Sequence, residues 1–212
     1  VSTPTRLRHL SNVTPLGQAD SRVMFYSRSR LTENRNMRIL AAIALLVTPC
    51  LWSQDKEIPK LAPYYPTPET VVDKMLQLGG VKAGEKVYDL GSGDGRIVFA
   101  AARKYKANAW GVEFDDSLAR QSAERAKSLG LTNAHIVHGD LLKQNYEDVD
   151  LMTIYLLPVG NDLVTPILEK QLKKGARIVA HDFEFTQWKP AKVVDIDDDG
   201  EGRAHRLYLY IR

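Results

Sequence analysis

Residues 87–96, Val-Tyr-Asp-Leu-Gly-Ser-Gly-Asp-Gly-Arg, join a short apolar run, a carboxylate and three glycines at alternate positions. Gly91, Gly93 and Gly95 carry no Cβ, so the main chain can turn sharply there and a ligand can lie directly against it. Asp89, at the end of the apolar run, is placed to accept hydrogen bonds from an ordered water, a ligand amine or a hydroxyl. A second strand-like run, Ala109–Phe114, ends in Glu113, 18 residues after Gly95. A carboxylate at that place accepts both hydroxyls of a ribose. A third run, Ala134–Asp140, ends in Asp140, which suits the exocyclic amine of an adenine. Three acids at three successive strand ends beside a glycine turn point to a nucleotide-like cofactor at the carboxyl edge of a parallel sheet. The glycines follow G-x-G-x-G, whereas the dinucleotide fingerprint is G-x-G-x-x-G. That spacing and Asp140 both oppose a nicotinamide dehydrogenase.

Strands and helices must alternate to bring such strand ends together. Thr67 reads as a helix N-cap with Pro68 at the first helical position, and Val71, Val72, Met75 and Leu76 form one apolar face up to the stop at Gly79-Gly80. Lys86–Leu90 reads as the first strand and Gly95–Tyr105 as its crossover helix. Ala109–Phe114 is followed by a helix over Asp116–Leu129, and Ala134–His138 is a third strand. Asp150–Leu157 is apolar nearly throughout, as a strand covered on both faces should be. A helix over Asp162–Leu172 precedes a fifth strand, Ala176–His181. Val193–Ile196 and His205–Ile211 flank Asp-Asp-Asp-Gly-Glu-Gly as a terminal hairpin. The expected class is α/β: a Rossmann-like, doubly wound, mostly parallel seven-stranded sheet closed by a C-terminal antiparallel hairpin strand. The sequence carries no internal repeat and no His/Cys spacing typical of a metal site, and no metal is expected. His135 and His138 on the third strand read as sharing one face and as structural.

The residues over Asp89–Gly95 resemble motif I of the class I S-adenosylmethionine-dependent methyltransferases, with Glu113 and Asp140 matching the acids after the second and third strands of that superfamily. The resemblance covers about Leu61 to Arg212. A narrower likeness lies in Pro63-Tyr-Tyr-Pro-Thr-Pro-Glu69, Thr153-Ile-Tyr-Leu-Leu-Pro158, His181-Asp-Phe183 and Trp188-Lys-Pro190. These resemble the small methyltransferases related to mitochondrial protein-lysine methyltransferases, those of the ATP-synthase c-subunit and the adenine-nucleotide translocase. The resemblance implies S-adenosyl-L-methionine as cofactor, held by Tyr65, Thr67, Asp89, Gly91, Ser92, Gly93, Glu113, Phe114, Gly139, Asp140 and Leu141. By analogy it implies methylation of a lysine side chain in a protein partner. A small-molecule methyltransferase, or an inactive exported cofactor-binding module, are the alternatives.

Where N-methyltransferases of adenine or glutamine amides often carry Asp/Asn-Pro-Pro-Tyr, this chain has Tyr155-Leu-Leu-Pro158, which argues against those substrates. Tyr155 is the candidate catalytic residue, with its hydroxyl directed at an amine; a packed strand aromatic is the equal alternative. Tyr64, Tyr65 and Thr67 are placed to form a lid over the cofactor, with ordinary linker packing as the alternative. His181 and Asp182, near the expected substrate mouth, read as a solvated turn after the fifth strand rather than as site residues, and Trp188 as core packing rather than a substrate-side wall.

Composition narrows the partners. Seven of the 29 Lys/Arg but only two of the 26 acids precede residue 54, which leaves 22 against 24 for the remainder and a net of about −2. Such a domain lacks the basic field of a nucleic-acid binder. The single cysteine, Cys50, excludes an internal disulfide framework. Residues 1–36 are Ser/Arg-rich without apolar periodicity and read as disordered or as an artefact of the start, with Met37 as the true first residue. Residues 37–53 have the basic start, apolar run at 39–47 and polar exit of a secretory signal peptide. A lipoprotein box ending at Cys50, a mitochondrial transit peptide and a membrane anchor through residues 39–47 are its rivals, and a cofactor made in the cytosol opposes export. Residues 54–66 read as an extended linker and 67–212 as the methyltransferase domain.

Overall fold

Lys86–Leu90 (β1) and Leu151–Ile154 (β4) lie side by side as parallel neighbours, buried from both faces: their side chains are mostly apolar, and the two buried polar ones, Asp89 and Thr153, pair with each other. The computed structural model describes residues 64–212, so the expectations for residues 1–36, 37–53 and 54–63 fall outside the described residues. In chain order come α1 (Glu69–Gly79), β1, α2 (Arg96–Tyr105), β2 (Asn108–Glu113), α3 (Asp116–Ser128), β3 (Ala134–His138), a 3-10 turn (Leu141–Lys143), β4, α4 (Pro158–Gln171), β5 (Arg177–His181), β6 (Lys192–Ile196) and β7 (His205–Ile211).

The described residues form one seven-stranded sheet in the order β3-β2-β1-β4-β5-β7-β6. Strands β1 to β5 are parallel, and β7 inserts antiparallel between β5 and β6. The chain winds outward from β1 to β3, then returns to start again at β4. The crevice at the carboxyl ends of β1 and β4 is therefore the point where the strand order reverses, the usual ligand position of such sheets.

The pleat sorts side chains onto two cores. Val87, Leu151, Val179 and Leu207 pack on one face with Val72, Met75 and Leu76 of α1 and Val98 and Ala101 of α2. Tyr88, Leu90, Met152, Ile154, Ile178 and Tyr210 pack on the other with Val164 and Leu168 of α4. Full burial of each aliphatic side chain stabilises the fold by about 1.5–3 kcal/mol.

Several expectations need correction. Thr67 is not the N-cap of α1. Pro68 occupies that place with an extended ψ of 145°, its carbonyl accepts from Val72 N–H at 2.9 Å, and no side chain caps the helix. Helix α4 starts at Pro158, four residues before the expected Asp162, because Pro158 has the fixed φ that suits a first helical position. Strand β4 accordingly stops at Ile154 rather than Leu157. His135 and His138 are three residues apart, so the two-residue pleat sends them to opposite faces. His135 packs against Trp110 at 4.4 Å between ring centroids, and His138 Nε2 lies 3.1 Å from the Phe114 carbonyl.

Candidate active site

The turn after β1 is built from main-chain amides. Gly91 N–H and Ser92 N–H both donate to the Val112 carbonyl, at 2.9 and 3.0 Å, which fastens the turn to β2. Gly93 has φ +53°, and a Cβ there would lie 2.7 Å from the Tyr64 ring. The missing side chain thus serves both the left-handed backbone and the approach of Tyr64. Gly111 in β2 was not singled out from sequence, yet a Cβ there would lie 2.5 Å from Ser92 Oγ, so its absence lets the turn settle on the strand.

Glu113 ends β2 and is buried. Its Oε2 accepts from Gly93 N–H at 2.7 Å and its Oε1 from Asp115 N–H at 2.8 Å. The carboxylate is locked in one orientation, with its remaining lone pairs beside the cleft. Asp89 is 4% exposed. Burial pushes its carboxyl up to about 7, against the opposing effect of Thr153, whose hydroxyl donates to Asp89 Oδ1 at 2.8 Å. Asp140 caps the 3-10 turn by accepting from Leu142 N–H at 2.8 Å, while its other oxygen lies 3.6 Å from Lys143 Nζ.

These residues line one cleft with about 940 Å³ of atom-free space, partly open to solvent. Tyr65, Thr67, Asp89, Gly91, Ser92, Gly93, Glu113, Phe114, Gly139, Asp140, Leu141 and Tyr155 all line it, so the structure gathers every candidate site residue. Phe114 is 45% exposed and offers an apolar face at the rim. Arg96 is the addition that sequence reading missed. Its guanidinium binds the Asp94 carboxylate at 2.8 Å and donates to the Thr67 carbonyl at 2.9 Å, pinning the segment before α1 against the glycine turn. Burial pushes Asp94 up, but these bonds from Arg96 outweigh it and hold the carboxyl below its usual range.

The wall beyond β4 is a polar network rather than a solvated turn. His181 is the last residue of β5 and fully buried, so its reading as a solvated turn residue is corrected, because β7 covers the end of β5; Asp182 follows in a bend and is half-buried. The Tyr155 ring lies on His181 with centroids 3.9 Å apart, and its hydroxyl donates to Asp182 Oδ2 at 3.3 Å. Burial and the Asp182 charge push the Tyr155 phenol up to about 12. Burial, with the neighbouring His205 ring, holds the His181 imidazole below its usual range. Trp188 packs on Phe185 at 4.4 Å as expected, and its indole N–H donates to Glu169 at 2.8 Å.

The donor set fits a nucleoside bearing a charged amino-acid tail. Glu113 and Asp140 are placed where carboxylates would take the ribose and the base, Asp89 where a cationic or hydroxyl group would be met, and Phe114 offers an apolar surface. Ser92 Oγ is buried without a hydrogen-bond partner and lies over Gly111 beneath the turn, so Ser92 offers the cleft its main chain rather than its hydroxyl. S-adenosylmethionine, when bound, supplies an electrophilic methyl group on a sulfonium. The residues here serve to orient it and to exclude water.

Residues 89–192 match the model of the ANTKMT methyltransferase domain. The chain is 39% identical over 151 residues to a protein-lysine N-methyltransferase of Saccharolobus islandicus, covering 70% of this chain and 92% of that one. It is 35% identical to the adenine nucleotide translocase lysine N-methyltransferase of Mus musculus, over 70% of this chain and 62% of that one. A solved structure described as an RNA methyltransferase of Salinibacter ruber, in complex with S-adenosyl-L-homocysteine, superposes with a TM-score of 0.64 at 39% identity, covering 69% of this chain and 93% of that one. Fold, cofactor cleft and relatives agree: the chain belongs to the ANTKMT-type family of S-adenosylmethionine-dependent methyltransferases.

Proposed function

We propose that the chain transfers the methyl group to the side-chain amine of a lysine in a protein. The observation that carries this reading is the 39% identity to the Saccharolobus islandicus protein-lysine N-methyltransferase across 92% of its length. The site is compatible with an amine nucleophile. The Tyr155 hydroxyl donates its proton to Asp182, so its lone pairs are free to accept from an amine N–H at the cleft and hold the nitrogen in line. Leu157 and Val159, next in the chain and exposed, offer an apolar rim for an aliphatic stem.

The Salinibacter ruber relative, described as an RNA methyltransferase at the same identity, favours a second reading with RNA as the acceptor. Charge weighs against it. The residues after 53 carry 22 basic and 24 acidic side chains, and Arg96, the one cation lining the described cleft, is held by Asp94. Phosphate binding needs free Lys and Arg.

The full chain incubated with methyl-labelled S-adenosylmethionine and separated protein, RNA and metabolite fractions decides the matter. Label recovered as methyl-lysine after hydrolysis of the protein fraction supports the proposal. Label in nucleosides, or in small molecules alone, overturns it.

A further inference from the structure

We propose that His181, Asp182 and His205 form a binding site for one divalent first-row transition ion, zinc above all, outside the cofactor cleft. His181 closes β5, Asp182 follows it, and His205 opens β7, so the insertion of β7 beside β5 brings the three together. Their donor atoms form a small triangle. His181 Nε2 lies 2.9 Å from His205 Nδ1, His205 Nδ1 lies 3.0 Å from Asp182 Oδ2, and His181 Nε2 lies 3.4 Å from Asp182 Oδ2. Donors about 2.0–2.1 Å from a tetrahedral zinc are about 3.3 Å apart, so a slight opening of this triangle admits the ion.

The surroundings match what metal ligands need. Each ligand has an outer partner on the side away from the triangle. His205 Nε2 faces Asp199 Oδ2 at 3.2 Å, a carboxylate that is 3% exposed and itself fixed by the N–H groups of Glu201 and Arg203. His181 Nδ1 faces Thr67 Oγ1 at 3.4 Å, and Asp182 Oδ1 accepts from Arg206 N–H at 2.9 Å. Asp182 holds φ +59°, a left-handed conformation that strains a residue with a Cβ and aims its carboxylate at the two rings. A shallow opening lined by Asp182, Asp195, Asp197, His205 and Arg206 leads from the cluster to solvent. It gives a cation a largely acidic approach to Asp182 and His205, with Asp195 paired to Arg206. Two imidazoles and one carboxylate suit zinc and its first-row neighbours rather than calcium or magnesium.

The ion would fasten the exit of β5 to the entrance of β7 directly behind Tyr155. Its role is to hold the wall on which Tyr155 lies. It takes no part in methyl transfer.

The test uses the untagged full chain, stripped with a chelator and titrated with zinc alone by calorimetry and with cobalt alone by visible absorption, without cofactor. One equivalent per chain and the intense bands of four-coordinate cobalt are expected. His181→Ala/His205→Ala should abolish both signals. Asp199→Asn, which keeps all three ligands, should weaken binding about 10- to 100-fold. His135→Ala should leave binding intact. Circular dichroism confirms that each variant is folded. Absence of stoichiometric binding to the wild-type chain overturns the proposal and leaves a metal-free hydrogen-bonded cluster. Equal binding by the folded double variant overturns it too.

Discussion

Glu113→Ala removes the acceptor of two backbone amides at once. Gly93 N–H at 2.7 Å and Asp115 N–H at 2.8 Å both end on this carboxylate, and the Gly93 bond is buried. A buried donor left without its partner costs about 1–3 kcal/mol. The Asp115 amide is partly buried, so water recovers part of its share, and the total is about 2–4 kcal/mol of stability. For a domain of this size that lowers the melting temperature by roughly 5–15 °C, at about 2–4 °C per kcal/mol. The same change frees the glycine turn and removes the carboxylate to which we assign the ribose. The affinity for S-adenosylhomocysteine should then fall by about 1–3 kcal/mol, roughly 5- to 150-fold. Glu113→Gln separates the two effects, since it keeps one acceptor oxygen and presents an NH2 to the other donor; it should fall between wild type and alanine. Thermal melts and calorimetric titration read both quantities. An alanine variant that melts with the wild type and binds S-adenosylhomocysteine equally refutes the assignment of Glu113 as the hub of the site.

Tyr155→Phe keeps the ring on His181 and deletes the hydroxyl; turnover should fall roughly tenfold or more while cofactor affinity stays nearly unchanged. Equal turnover in the two proteins would reduce Tyr155 to packing. Asp89 gives the stability a pH dependence with a defined sign. Its folded carboxyl lies at about 7, above an unfolded value of about 3.9, so the native state holds the proton more tightly. This contribution is complete below about pH 4, declines as pH rises from 4 to 7 and is gone above. Denaturant melts of the cofactor-free chain should show that decline relative to Asp89→Asn, and parallel profiles for the two would contradict it. Gly93→Ala places a Cβ 2.7 Å from the Tyr64 ring at φ +53°, so both stability and cofactor affinity should drop, stability by about 1–3 kcal/mol. Tyr64→Ala added to it should relieve the contact but leave the backbone strain, and a single variant indistinguishable from wild type in melt and titration would show that the approach of Tyr64 is not required.

The cofactor side of the cleft was legible because its signals are local. Asp89, Glu113 and Asp140 each end an apolar run, and the glycines follow the first run directly, so a few consecutive residues announce both the strand and its acid. The wall behind Tyr155 was not legible in that way. His181 and Asp182 looked solvated because nothing in residues 176–186 says that β7 will cover them, and His205 and Asp199 lie on the far side of a hairpin. Thr67 looked like a cap by its place before Pro-Glu, whereas a buried imidazole 114 residues away gives its hydroxyl another neighbour. The role of Thr153, which supports Asp89, follows from the pairing of β4 with β1 across 64 residues. Gly111 carried no signal at all, since its reason is the side chain of Ser92 packed against it.

The nesting of β7 between β5 and β6 has a consequence for biosynthesis. Among the described strands, β6 pairs with β7 and with no other, although β6 leaves the ribosome first. Until β7 arrives, β5 presents Ile178, Val179 and Ala180 along an open edge, the kind of edge that recruits foreign strands. The strand that shields this edge also delivers His205 to His181 and Asp182. Protection from misassembly and completion of the wall behind Tyr155 are therefore one folding event, and a nascent chain halted before residue 205 would be at once aggregation-prone and catalytically unfinished.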